Sequence, residues 1–270
     1  MTIDRRKFIK TAGLASLAGL AGKQVLASVI GSEEDTATVI SPGSIDRLAG
    51  LQSPLHAQRW AMVIDIRKCE NEHGCTRCID ACHLTHNVPE FDNPKDEIKW
   101  IWKEQFENAF HEQENEFQKS DLIHSTPILL CNHCNNPPCV SVCPTKATWK
   151  REDGIVMMDW HRCIGCRYCM AGCPYGSRSF NWRDPRPFIK NQQNDFPTRM
   201  RGVVEKCTFC DERLAIGLMP ACVEACDAKA ILFGDLEDPE SNIRKLLNDN
   251  FSIRRKPGLG TQPEVYYIIS

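Results

Sequence analysis

The 270-residue sequence predicts an α+β fold in which one small cysteine-rich module occurs twice, with helical and loop insertions around it. Three observations lead there. Sixteen cysteines fall into four groups of four: Cys69, Cys75, Cys78 and Cys82; Cys131, Cys134, Cys139 and Cys143; Cys163, Cys166, Cys169 and Cys173; Cys207, Cys210, Cys222 and Cys226. Apolar, strand-like runs lead into two of these groups and out of the other two. A Glu152-Asp153-Gly154 turn between two such runs joins the second group to the third as a hairpin.

The third group fixes the chemistry. It reads C-x2-C-x2-C-x3-C-P from Cys163 to Pro174, the spacing with which bacterial ferredoxins hold [4Fe–4S] clusters on thiolates. Three thiolates two residues apart wrap one cluster, and the fourth, a helical turn further on, serves the neighbouring site. Each module is therefore expected to be bacterial-ferredoxin-like: a pair of [4Fe–4S] sites with short β-hairpins and helices. Sixteen thiolates, four per cluster, fill four [4Fe–4S] clusters with none left over. Two other uses of cysteine compete. A disulfide scaffold needs no such spacing. Structural zinc usually takes two separated C-x2-C pairs, and a zinc-stapled binding module would be colourless.

At the N-terminus, Asp4-Arg5-Arg6-Lys7-Phe8-Ile9-Lys10 precedes a Gly/Ala-rich apolar run from Ala12 to Ala21. Residues 1–27 are expected to be a twin-arginine (Tat) signal, with Val25-Leu26-Ala27 as a cleavage site unless the segment stays as an anchor. That route carries folded proteins, so clusters enter first. It leaves the chain on the periplasmic side of the cytoplasmic membrane, held there through partners. Gly22-Lys23-Gln24 interrupts the run well short of the roughly 18 residues a membrane span needs.

Residues 28–58 read as an extended lead-in, polar and rich in turn formers. Trp60 to Ile66 is apolar almost throughout and reads as a buried strand. Residues 59–86 and 202–238 are expected to make one module, from the first and fourth groups; residues 127–182 make the other, from the second and third. The intervening 87–126 is an insert whose Ile98, Trp100, Ile101, Trp102, Phe106, Phe110 and Phe117 have partly helical spacing, read as helix packed on the core or facing a partner. Residues 183–201 form a Pro/Asn/Gln-rich loop. Residues 239–270 hold a helix capped by Ser241, with Leu246 and Leu247 inward, and a closing strand from Glu264 to Ile269.

An internal repeat decides which groups pair. Asp65 and Asp159 each stand four residues before a first cysteine, at the end of an apolar run. Cys143-Pro144-Thr145-Lys146-Ala147 parallels Cys226-Asp227-Ala228-Lys229-Ala230 on the way out. The exit of the fourth group leads into no further cysteines, and the entry of the first has no exit before it, so these two spare strands should pair. Crossing the fourth ligand then gives four sites: Cys69, Cys75, Cys78 and Cys226; Cys131, Cys134, Cys139 and Cys173; Cys163, Cys166, Cys169 and Cys143; Cys207, Cys210, Cys222 and Cys82. Three departures stand out: the x5 gap after Cys69, the insertion between Cys210 and Cys222, and Asp227 in place of proline. Loops beside a cluster change its solvation and hence its potential, and they also offer docking surface.

Formal net charge is −2, and removing residues 1–27 leaves 28 cations against 34 anions. A mildly acidic chain without a basic block is a poor partner for nucleic acid. No G-x-G-x-x-G, P-loop or nucleophile elbow is present, so neither nucleotide binding nor hydrolysis has support, and no residue is expected to act as acid, base or nucleophile. Cys82-His83 is one residue out of register for haem attachment. His133, between Cys131 and Cys134, either modulates a cluster or merely packs.

The stretches CNHCNNPPCVSVCPTKAT, DGIVMMDWHRCIGCRYCMAGCPYGSRSF and KCTFCDERLAIGLMPACVEACDAKAI resemble the four-cluster iron–sulfur subunits of dimethyl sulfoxide, polysulfide and nitrite-reductase-type complexes, over about residues 58–270. The Tat tag, the long first gap, the WAMVIDIRKC entry and the aromatic insert are most similar to the DsrO-type subunits of the sulfite-reduction-associated DsrMKJOP complexes, the Hdr-like menaquinol oxidoreductases. The resemblance implies electron transfer without a catalytic site, in dissimilatory sulfate and sulfite metabolism. It also implies an integral membrane partner of the NrfD type that interacts with quinone, a multihaem cytochrome c and further membrane redox subunits. The rival in the same class is the electron-transfer subunit of a molybdopterin oxidoreductase.

Overall fold

A computed structural model of the chain describes residues 53–70, 74–113 and 116–269. The expected export signal and most of the lead-in lie outside the described residues. Within these, the strands are β1 (Trp60–Asp65), β2 (Ile101–Lys103), β3 (Ile128–Leu130), β4 (Thr148–Lys150), β5 (Val156–Met158), β6 (Ser179–Phe180), β7 (Val204–Glu205), β8 (Ile231–Asp235), β9 (Ser252–Ile253) and β10 (Val265–Ile268). Helices are short, the longest being Arg77–Thr85 and Asn242–Asp249.

β1 is the pivot. All six of its residues are buried, because successive side chains point to opposite faces and both faces are covered. Trp60, Met62 and Ile64 join the main core with Cys78, Phe209 and Tyr267. Ala61 and Val63 pack on the other side with Leu236, Ile268 and Ile243 of the helix Asn242–Asp249. A strand with no wet face has no polar alternation, which is why WAMVI reads as a continuous apolar run ended by Asp65.

The sheet order is β8-β1-β10-β9. β1 and β8, the two strands that the repeat left without partners, pair antiparallel with Met62 opposite Phe233. Trp60 and Phe233 stack there with ring centroids 4.8 Å apart. β10 lies parallel to β1 on its other edge, Met62 opposite Val265. The C-terminal segment is therefore part of the central sheet rather than an appendage beside it. β4 and β5 form the hairpin across the Asp153-Gly154 turn, Trp149 opposite Met157, and β6 pairs with β7.

The insert departs from the expected helix. Within 87–126 the described helices are the five-residue Phe106–Phe110, the four-residue Ser120–Ile123 and two single 3₁₀ turns. β2 instead pairs antiparallel with β3, Ile101 opposite Leu130. Trp100, Ile101, Trp102, Phe106 and Phe110 are all buried, whereas Phe117 is exposed. The aromatic run mixes strand and helix, so its apparent helical period was the sum of two short elements with different periods.

Ser241 caps the last helix, its hydroxyl accepting from the Arg244 N–H at 3.3 Å. Orphan N–H groups of a first turn need such an acceptor. Ser241→Ala is expected to cost about 1 kcal/mol, read as a lower midpoint in thermal unfolding while the cysteines keep their surroundings.

Candidate metal centres

Every cysteine group builds the same local turn. The residue just before the second cysteine has a left-handed backbone: Gly74 at φ 72°, His133 at 41°, Gly165 at 70° and Phe209 at 56°. Alternating right- and left-handed residues gather N–H groups into a concavity that suits anions. Phe209 N–H points at the Cys207 sulfur at 3.4 Å, and Ala230 N–H at the Cys226 sulfur at 3.2 Å. A second left-handed residue follows the fourth cysteine by three positions in the last three groups: Lys146, Gly176 and Lys229. The first group lacks it because its helix runs on to Thr85.

Gly165 shows how tight the turn is. A Cβ added there would lie 2.4 Å from the Gly202 carbonyl oxygen, at a backbone angle that L side chains rarely adopt. Gly165→Ala is expected to destabilise by more than about 1 kcal/mol and to reduce iron bound per chain, measured by colorimetric assay on anaerobically purified protein.

The third cysteine of each group sits on a short helix, and the fourth follows one turn later. Cys78 and Cys82 lie on Arg77–Thr85, Cys139 on Pro138–Ser141, Cys169 on Tyr168–Ala171 and Cys222 on Ala221–Glu224. The first group's helix packs against the fourth group's, and the second's against the third's. Arg77 pairs with Asp227 across the first junction, so the residue that replaced proline ties the two groups together. Both side chains are largely exposed, and such a pair contributes little.

This packing collects the thiols. Cys69, Cys75, Cys78 and Cys226 line one cavity with Arg77 and Asp227. Cys131, Cys134, Cys139 and Cys173 line another with Tyr175 and Arg178. Burial drives the Cys82 thiol well up, with Cys210, Cys207 and Cys222 adding to it. Cys139 and Cys169 share a buried cluster against which Cys143 and Cys163 pack, while Cys166 is exposed. Among the described residues no disulfide joins any of these cysteines.

Such a donor set fits metal. Burial pushes the Cys78 thiol up to about 12, with the charges of Cys69, Cys226 and Cys75 adding. Burial also lifts Cys134 to about 12, helped by Cys131 and opposed by a hydrogen bond from Thr261. Crowded, desolvated thiols of this kind ionise only when a cation takes their charge, so metal binding and folding are coupled here. Across the sets, Cys222 feels Cys78, Cys207 feels Cys131 and Cys169 feels Cys139.

Four polar side chains around the thiols gave no sequence signal. Arg178 is buried with a nitrogen 3.1 Å from the Cys139 sulfur. Lys206 is buried and donates to the carbonyls of Val156 and Cys207. His86 joins the Cys82 carbonyl at 2.8 Å to Glu212 at 2.9 Å. Glu205 takes hydrogen bonds from Arg199, Trp100 and Asn181. Most of these contacts join residues distant in the chain. His133 is buried, stacks on Phe209 at 3.6 Å and accepts from the Val156 N–H at 3.1 Å. No helix among the described residues is long and apolar enough to cross a membrane.

Comparison with known proteins points to iron–sulfur chemistry. A family model described as a 4Fe-4S dicluster domain matches residues 126–236. The chain is 37% identical to the Hdr-like menaquinol oxidoreductase iron-sulfur subunit 1 of Archaeoglobus fulgidus, over 98% of this chain and 97% of that protein. It is 37% identical to the menaquinone reductase iron-sulfur cluster-binding subunit of Nitratidesulfovibrio vulgaris, over 78% and 88%. NrfC of Escherichia coli is 33% identical over 99% and 96%. Matched to two of these relatives along nearly the whole length of each, the chain belongs to the family of iron–sulfur electron-transfer subunits that includes the Hdr-like menaquinol oxidoreductase subunit and NrfC.

Proposed function

We propose that the chain is the electron wire of a membrane-bound respiratory complex, holding four [4Fe–4S] clusters in two ferredoxin-like modules. Bound clusters of this type take up and release one electron each with little change in shape. The ligand sets are Cys69, Cys75, Cys78 and Cys226; Cys82, Cys207, Cys210 and Cys222; Cys131, Cys134, Cys139 and Cys173; and Cys143, Cys163, Cys166 and Cys169. The observation that carries this reading is the convergence of Cys226 with Cys69, Cys75 and Cys78 on one cavity. The inter-set neighbours Cys222 and Cys78, Cys207 and Cys131, and Cys169 and Cys139 support a linear order of the four sites as just given. The chain's own contribution is to fix the thiolates, bury most of them from water and supply N–H groups and cations around them.

On this reading electrons pass between a quinone-interacting integral membrane subunit of the NrfD type and a periplasmic multihaem cytochrome c, in sulfate or sulfite metabolism. Export by the Tat route would place the chain on that side. Support comes from relatives named as menaquinol oxidoreductase and menaquinone reductase subunits. The test is purification of the tagged chain from detergent-solubilised membranes under anaerobic conditions. Brown protein bleached by dithionite, about sixteen irons per chain, and a co-purifying membrane protein and haem protein are expected. A molybdenum subunit in place of the haem protein would redirect the reading to a molybdopterin oxidoreductase. A colourless zinc protein would end it.

A further inference from the structure

We propose that Arg178 sets the reduction potentials of two neighbouring clusters together, by holding one positive charge against the sulfurs of Cys139 and Cys169. The inference rests on the ligand sets given above, in which these two cysteines serve different clusters. Arg178 lies between Cys173 and β6 and is 4% exposed. One terminal nitrogen donates to the Cys139 sulfur at 3.1 Å and to the Thr148 hydroxyl at 2.9 Å; the other approaches the Met158 sulfur at 3.7 Å. Cys169 shares a buried cluster with Cys139, and the Arg178 charge acts on it from close by.

A buried guanidinium is costly unless an anion answers it. Among the described residues no carboxylate pairs with Arg178. Burial disfavours its charge, while the neighbouring sulfurs of Cys139, Cys169 and Cys131 favour it. The counter-charge is therefore sulfur, from two ligand sets at once. Each site becomes more negative by one charge on reduction, so a fixed cation beside it favours the reduced state, the more so in a dry surrounding. Hydrogen bonds to ligand sulfur act in the same direction. A planar guanidinium spreads its charge along the cluster that Cys139 and Cys169 share, whereas an ammonium is a single point of charge. One residue thus moves both potentials in step and leaves the drop between the two sites nearly unchanged.

The test is a redox titration of the anaerobically purified full-length chain, followed by EPR, for wild type, Arg178→Met and Arg178→Lys, with iron measured in each. Arg178→Met is expected to lower two of the four potentials, each by about tenfold in the reduction equilibrium, or about 59 mV for a one-electron couple. The other two potentials and the iron content stay as in wild type. No shift, a shift of one signal alone, or an upward shift overturns the proposal. If Arg178→Met fails to retain iron, Arg178→Lys decides. Charge without the fork should lower the potential of the site whose sulfur is no longer reached, and two unmoved potentials overturn the proposal. Iron content and signals of the wild type report separately on whether the cysteines hold clusters at all.

Discussion

Cys226→Ala is expected to abolish the cluster of Cys69, Cys75 and Cys78 while leaving the cluster of Cys207, Cys210 and Cys222 in place. Iron should fall by about four atoms per chain, one cluster's worth. The reason is geometric. Cys226 lies about one turn beyond Cys222 of the helix Ala221–Glu224, and that helix packs against Arg77–Thr85. The same turn carries Cys226 past the surroundings of Cys222 and onto the wall that holds Cys69, Cys75 and Cys78. Its counterpart is Cys82, which faces Cys210, Cys207 and Cys222. Two reference variants make the outcome readable. Cys75→Ala should remove the same EPR signal as Cys226→Ala, and Cys210→Ala a different one. If Cys226→Ala instead removes the signal that Cys210→Ala removes, the ligands are not crossed, and the linear order of sites fails with them. Metal-binding energy is also folding energy, so Cys226→Ala should lower thermal stability by more than a change on the surface. The β1–β8 pairing next to the site, with Trp60 stacked on Phe233, gives the variant enough apolar core to remain folded.

What could be read from the sequence follows from where a single constraint dominates. Cysteine spacing is dictated by ligand chemistry, so Cys163 to Cys173 speaks without any knowledge of the fold. β1 is legible because both its faces are covered, leaving five apolar residues in a row from Trp60 to Ile64 before Asp65. Pairing of β1 with β8 followed from the repeat, since Trp60–Asp65 and Ile231–Asp235 were each half of a hairpin without its other half. The parallel partner β10 did not follow, because Val265–Ile268 carries no mark of which edge it joins. In the insert, Trp100 and Trp102 flank a strand position while Phe106 and Phe110 lie on a helix four residues apart. A window spanning both reports one false period. Arg178 and Arg199 were invisible for another reason. Each is a charged residue in a loop-like stretch, and only the tertiary fold shows that its partners are buried with it.

Arg199→Met is expected to destabilise the fold by about 3–5 kcal/mol, the usual cost of removing one member of a buried ion pair. Arg199 and Glu205 both have fully buried side chains, with Nε to Oε2 at 2.6 Å. The guanidinium further donates to the carbonyls of Asn87 at 2.9 Å, Pro197 at 2.9 Å and His86. It lies over the rings of Trp100, Trp160 and Phe196 at 5.4–5.6 Å from their centroids. One side chain therefore ties the 183–201 loop to the end of the first group and to β7. Methionine keeps much of the apolar stem but leaves three carbonyls without that donor and Glu205 charged in a dry site. Trp100 and Asn181 still donate to that carboxylate, but neither neutralises it. For a unit of this size the loss corresponds to a drop of about 10 °C in the midpoint of heat-driven bleaching near 400 nm. The double variant Arg199→Met with Glu205→Leu removes the stranded charge and should recover part of the drop, since an apolar pair avoids the desolvation that an ion pair must overcome. A double variant as unstable as the sum of its singles would show that the two side chains act independently, and the stranded carboxylate would no longer explain the single. Arg199 donates to no cysteine, so iron bound at low temperature should match wild type, which separates this loss of cohesion from the loss of a cluster in Cys226→Ala.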